Sequence, residues 1–303
     1  MLSLVRSFAA RFALRALILG LPLPLVACDR PDAKSPLNYA QDAKRAYDEA
    51  MEEFKAHNWL EAQNQMREVK RKYSYSRYAR LAELRIADAD FEQDKFAEAI
   101  RQYKQFVHDH RSDNEEVAYA RSKMAEAQYK QIAESFFLPS GDERDQASVI
   151  EAYKELRSFI ADYPAAKESA RLRELLADVT ARLIRHELYA ARFYLARGNY
   201  DAAVARVDYA MQNYAVRSPA PRPGLTASKA KGKKTDPAAP APSELLDSGL
   251  EAEALLLLGE VYLRMRKYDD ARSTFKMLMT DYPKSGLVTQ AQNYLAYMQQ
   301  LGV

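Results

Sequence analysis

The stretch RGNYDAAVARVDYAMQNY, residues 197–214, places an aromatic at Tyr200, an alanine three residues later at Ala203 and a tyrosine eleven beyond that at Tyr214. The same skeleton returns as Tyr268, Ala271 and Tyr282, and appears earlier as Trp59, Ala62 and Tyr73 and as Phe96, Ala99 and His110. A worn copy reads Val149, Ala152 and Tyr163. One local structure is reused along the chain, and its period decides the fold.

Around each copy the apolar residues recur at helical spacing. Tyr47, Ala50, Met51 and Phe54 form one stripe, and Trp59, Ala62, Met66, Val69 and Tyr73 form the next. Each unit therefore reads as a helical hairpin whose turn lies in NWLEA, KFAEA, NYDAA or KYDDA. The fixed alanine lets two backbones approach, and the aromatic covers the turn. Pro164 and Pro283 follow the late tyrosine in two copies, where proline ends a helix. Successive alanines are 37, 53, 51 and 68 residues apart. The first spacing is near the period of about 34 of a tetratricopeptide repeat, and the others contain inserts. The expected fold is all-α, with five tetratricopeptide-like hairpins in a solenoid.

The inserts differ in kind. FFLPSGDERDQ, 136–146, is a loop signalled by Pro139 and Gly141. Between Pro164 and Gly198 there is neither Gly nor Pro, which reads as one elongated helix. Residues 215–247 hold six of the 13 prolines, four lysines and almost no large apolar side chain. That composition cannot bury enough surface to offset its ordering entropy, so a disordered insert is expected before the last repeat. The organisation expected is a leader over 1–27, a tether over 28–38, repeats one to four over 39–214, the insert over 215–247, and a fifth repeat with a C-terminal helix over 248–303.

Net charge is +3, and the leader's Arg6, Arg11 and Arg15 supply all of it; the rest holds 42 basic and 42 acidic residues. Such neutrality offers no electrostatic footprint for nucleic acid. The three arginines precede ALILGLPLPLVA, a signal-peptide apolar region too short to span a bilayer. It ends in LVAC, Leu25 to Cys28, which is similar to the lipobox of bacterial lipoproteins. There the leader is cut before the cysteine, which then carries acyl chains, palmitate among them. Cys28, the one cysteine, is thus the expected lipid attachment site, and no disulfide can form.

Residues that could carry chemistry are few. His108 and His110 flank Asp109, but positions i and i+2 diverge on a helix, and His110 fills the repeat's late aromatic slot. GLTASKAKGKKT has seven residues between Gly224 and Gly232, where a phosphate loop needs four. Glu115 with Glu116, and Asp142 with Glu143, read as adjacent charges on solvated ends. Only 20 residues follow Pro283, so a lytic-transglycosylase-like catalytic domain has no room. The expectation is a protein without catalytic residues, cofactor or metal.

The lipobox, the tether, the hairpins, the ERDQ loop (143–146) and above all HELYAARFYLARGNYDAAVARVDYAMQNY (186–214) together resemble the BamD family, the lipoproteins of the outer-membrane β-barrel assembly machine. The resemblance covers 39–214 and, less strictly, 250–300. It implies a scaffold anchored to the outer membrane and facing the periplasm. Its N-terminal repeats would receive unfolded outer-membrane proteins; its C-terminal repeats would dock a periplasmic domain of a BamA-like barrel subunit, alongside other assembly components. One docking residue carries over, the arginine of the family's RVE stretch, here Arg206 in ARVDY, which helix geometry places on an exposed flank beside the apolar stripe. Two features depart from the family: the 215–247 insert, and Asp29, an inner-membrane retention signal in enteric bacteria. The rival reading is a generic periplasmic repeat lipoprotein serving cell-wall synthesis or division. Replacing Cys28 by alanine is expected to leave an uncleaved or soluble chain, checked by detergent partitioning and mobility; a variant that partitions normally would remove the lipobox reading.

Overall fold

The computed structural model describes residues 36–111, 114–132, 141–215 and 248–303. All regular structure among them is helical: α1 (Pro36–Lys55), α2 (Trp59–Lys72), α3 (Arg77–Glu92), α4 (Phe96–Asp109), α5 (Asn114–Lys130), α6 (Ala147–Asp162), α7 (Ser169–Ala196), α8 (Tyr200–Asn213), α9 (Glu251–Arg264), α10 (Tyr268–Asp281) and α11 (Val288–Gln300). The leader with Cys28, most of the tether, residues 136–140 of the expected loop and 216–247 of the expected insert lie outside the described residues. The first helix corrects the tether boundary. It begins at Pro36 rather than Tyr39, because proline at a first helical position is already set to helical φ and needs no N–H partner.

The repeat residues have consistent places. Trp59, Phe96, Tyr200 and Tyr268 each open the second helix of a hairpin. In the worn copy α6 starts two residues ahead of Val149. The fixed alanines Ala62, Ala99, Ala152, Ala203 and Ala271 are all wholly buried. The late residues Tyr73, His110, Tyr163, Tyr214 and Tyr282 are the C-caps, each donating its N–H to the carbonyl four residues back. His110 packs its ring 4.4 Å from that of Phe106, so the imidazole serves there as an aromatic.

Neighbouring helices pack in chain order, and α1 also touches α3, α5 touches α7, and α7 touches α9. This is the connectivity of stacked hairpins. The Pro164–Gly198 run does not become helical at once: a turn through 164–168 precedes α7. That helix of 28 residues is about 42 Å long. Its first half contributes Leu172, Leu176, Val179 and Leu183 to one core cluster, and its second half contributes Ile184, Leu188 and Ala191 to the next.

Polar staples tie the repeats together. Glu116 does not sit on a solvated end as expected; its side chain, 13% exposed, pairs with Arg77 and Arg80 of α3. Asp88 of α3 is buried and accepts from Tyr103 of α4 at 2.5 Å and from Tyr119 of α5 at 3.0 Å, with Arg85 beside it. Burial pushes the Asp88 carboxyl up from its usual range, against the opposing pull of Arg85.

Four hairpin turns share a backbone device. His57, Asp94, Gly198 and Arg266, each two residues before the aromatic, have φ between 59° and 73°. At each, this residue's N–H bonds the carbonyl three back, and the next N–H bonds the carbonyl five back, as in Asn58 to Glu53 and Lys267 to Tyr262. That pattern is a Schellman motif, which favours glycine at its left-handed position. Only Gly198 obliges, and a Cβ there would touch nothing within 4 Å. Gly198→Ala is therefore expected to cost about 1 kcal/mol from backbone strain alone, and Arg266→Gly to gain a similar amount. Gly259→Ala should cost more, roughly 1–3 kcal/mol, because its Cβ would fall 2.3 Å from the buried Phe275 ring. Thermal or urea unfolding of the three variants checks the order.

Candidate partner-docking surface

The second half of α7, HELYAARFYLA, has two opposed faces. Glu187, Leu188 and Ala191 point inward, while Tyr189 and Phe193 are exposed at 42% and 45%. Tyr189, Phe193 and Arg197 are four apart and form one row along the helix. The Arg197 guanidinium lies over the Phe193 ring, 3.4 Å from its centroid, and Phe193 meets Tyr194 edge-on. Arg192 on the same exposed side pairs with Glu253, tying α7 to α9.

The ERDQ loop is fastened to this helix. Gln146, itself buried, donates to the carbonyls of Gly141 and Arg144 and closes the loop on itself. The Asp142 carbonyl lies 2.7 Å from His186 Nδ1, so Nδ1 carries the proton. The Tyr189 hydroxyl donates to Glu143 at 3.0 Å, a bond that raises the phenol's pKa. Between loop, α7 and α8 opens a cleft of about 380 Å³, lined by Asp142, Glu143, His186, Tyr189, Phe193, Tyr194 and Arg206.

The Arg206 side chain is 43% exposed, as the helix phase implied, and from beside the apolar stripe it makes a contact that the sequence did not show. Its Nη1 donates at 3.1 Å to Glu187, whose side chain is only 8% exposed. The bond to Glu187 raises the guanidinium's already high pKa, with a contribution from the Tyr194 hydroxyl. Introducing glutamate at 206 would set a carboxylate against the buried Glu187 and disturb packing. The pairing spans 19 residues and was missed in the sequence. Its signal was an acid, Glu187, standing in an otherwise apolar stripe with Ile184, Leu188 and Ala191. The exposed Tyr189 and Phe193 had a signal too, as two aromatics four apart on the opposite face.

This surface offers aromatic edges, the guanidinium groups of Arg197 and Arg206, and the Glu143 carboxylate held by Tyr189. It suits a folded protein surface better than a small molecule, being shallow and rimmed by charge. A second cleft, about 570 Å³, lies between α1 and α2, with Ala46, Val69 and Tyr73 below a rim that includes Glu49, Glu52, Glu53, Glu61 and Glu68. Among the described residues, no group of three or more His, Cys, Asp or Glu is placed to hold a metal, and no helix is long and apolar enough to cross a membrane.

Comparison with known proteins agrees with this architecture. A tetratricopeptide-repeat model matches residues 253–285, the hairpin of α9 and α10. The outer membrane protein assembly factor BamD of Neisseria gonorrhoeae is 23% identical over 288 residues, covering 91% of this chain and 93% of its own. BamD of Caulobacter vibrioides is 28% identical over 164 residues, covering 54% of this chain and 51% of its own. The family model YfiO, described as outer membrane lipoprotein, matches residues 39–241. With well over half of its length so matched, the chain belongs to the YfiO family of outer membrane lipoproteins.

Proposed function

We propose that this protein is a non-catalytic scaffold in the assembly of outer membrane proteins. Cys28 carries the lipid anchor, and the repeats face the periplasm. The second half of the chain docks a periplasmic domain of a BamA-like barrel subunit, and the N-terminal hairpins receive incoming unfolded outer membrane proteins. The relatives' name, outer membrane protein assembly factor, supports the process. The observation that carries the docking reading is the row of Tyr189, Phe193 and Arg197 beside Arg206, exposed on the helix that two core clusters share. Large aromatics and arginines held on a rigid element are the groups that dominate protein–protein affinity.

Arg206 would meet a carboxylate or carbonyl of the partner with the donors that Glu187 leaves free. The clean test is Arg206→Gln, which removes the charge without placing a second acid beside Glu187. It is expected to weaken capture of the barrel subunit from detergent-solubilised outer membrane by about 2 kcal/mol, or roughly thirtyfold. Its own stability should fall by roughly 1–3 kcal/mol, because Glu187, 8% exposed, loses its cation while the glutamine amide can still donate to it, and urea unfolding run beside the capture assay separates the two losses. A purified assembly holding cell-wall synthases and no barrel protein would replace this reading by that of a periplasmic scaffold for cell-wall synthesis or division.

A further inference from the structure

We infer that Glu187 is a positioning residue for Arg206: it holds the guanidinium in one orientation at the mouth of the cleft, so that a partner's acceptor meets donors already aimed. The inference rests on the docking reading above.

Glu187 lies on α7 among Ile184, Leu188 and Ala191, all buried, and its residue exposure is 6%. A carboxylate in that setting is costly to bury alone and needs a bonded cation. Arg206 supplies it from the facing helix α8, at 3.1 Å. The Tyr194 hydroxyl also acts on the same guanidinium, from about two helical turns beyond Glu187 on α7. The two partners differ sharply in exposure, 8% for the acid and 43% for the arginine. The acid is therefore fixed by packing, while the arginine spans from the buried carboxylate to the open cleft. A guanidinium has five N–H donors in a rigid plane. Fixing one edge on Glu187 orients the donors of the other edge toward the cleft that Tyr189 and Phe193 line.

Two consequences separate positioning from mere packing. Binding loses less side-chain entropy than a free arginine would require, so the arginine's contribution depends on the acid behind it. The charge on Arg206 is also already compensated locally, so recognition rests on donor geometry more than on net charge.

Glu187→Gln keeps the shape and one acceptor but loses the charge. The experiment measures binding of the full mature chain to the detergent-solubilised barrel subunit for wild type, Glu187→Gln, Arg206→Gln and the double variant. Glu187→Gln is expected to weaken binding by about tenfold, the scale of one charge-assisted hydrogen bond. In the Arg206→Gln background the same change should have no further effect, because Glu187 acts through the arginine. Independent losses that multiply in the double variant, or no loss in Glu187→Gln, would overturn the proposal. Tyr194→Phe, which removes one hydroxyl from a partly exposed ring, gives a second reading free of folding concerns; it should also weaken binding in the wild-type background and not in Arg206→Gln. A readout without the partner is side-chain nitrogen NMR. Rotation about the Arg206 Cζ–Nε bond should be slowed in wild type and averaged in Glu187→Gln, and an arginine already averaged in wild type would overturn the inference. If wild type fails to bind the barrel subunit while this NMR difference is present, the docking reading falls and the positioning stands.

Discussion

Two helices can come close only where nothing large stands between them, and each hairpin here is built around one such point. Ala62, Ala99, Ala152, Ala203 and Ala271 are wholly buried at the same place in the repeat. The close approach then leaves room on either side for larger groups to interdigitate, such as Met66 and Val69 in the first hairpin or Phe275 and Leu278 in the last. The tightest version is at α9, where Gly259 lets the Phe275 ring lie against backbone. Because interiors pack at crystal-like density, a single methylene at any of these points must be absorbed by moving a helix.

So close a pairing also demands an abrupt reversal. The left-handed residue in four of the turns supplies it, and three of the four are non-glycine residues that bear a strain of about 1–2 kcal/mol each. Those turns persist because the hairpin's packing determines where the chain must go. The aromatic that follows closes the turn in the first hairpin: Trp59 sits edge-on to Phe54 at 5.1 Å and to His57 at 4.9 Å. Turn strain and hairpin packing are thus two sides of one geometry.

What could be read from residue order is what repeats locally. The alanine, the aromatic three before it and the residue eleven after it mark a buried point, a helix start and a C-cap. All three lie on one helix and share its period. The left-handed turns were hidden because only Gly198 advertises one, while His57, Asp94 and Arg266 adopt the same φ without a compositional signal. The staples were hidden for another reason. Asp88 draws its partners from α4 and α5, and Glu116 draws its arginines from α3, so neither pairing has a fixed spacing in the chain. The same holds for Arg206, whose exposure followed from helix phase but whose acid lies on another helix. The proposed docking surface was legible in the sequence as the 186–214 string that resembles the family and as Arg206; the exposed Tyr189 and Phe193 and the geometry around them were not.

The placement of that surface follows from the length of α7. The shorter α3 and α5 also contribute to two clusters, but from interleaved positions, whereas α7 gives its first half to one cluster and its second half to the next. Tyr214 touches both clusters, and the Tyr153 hydroxyl reaches across to the Asn213 carbonyl, so α6, α7 and α8 lock one another. The second half of α7 is packed in one core and is continuous with a first half packed in the other, so it is held both by its own contacts and by the helix behind it. Aromatic side chains displayed on such a helix lose little backbone freedom when a partner covers them, so more of their burial appears as affinity. The ERDQ loop adds to this from the outside, since its bonds to His186 and Tyr189 brace the row from its N-terminal end. Rigid display, rather than a large apolar patch, is what this surface would bring to the proposed docking.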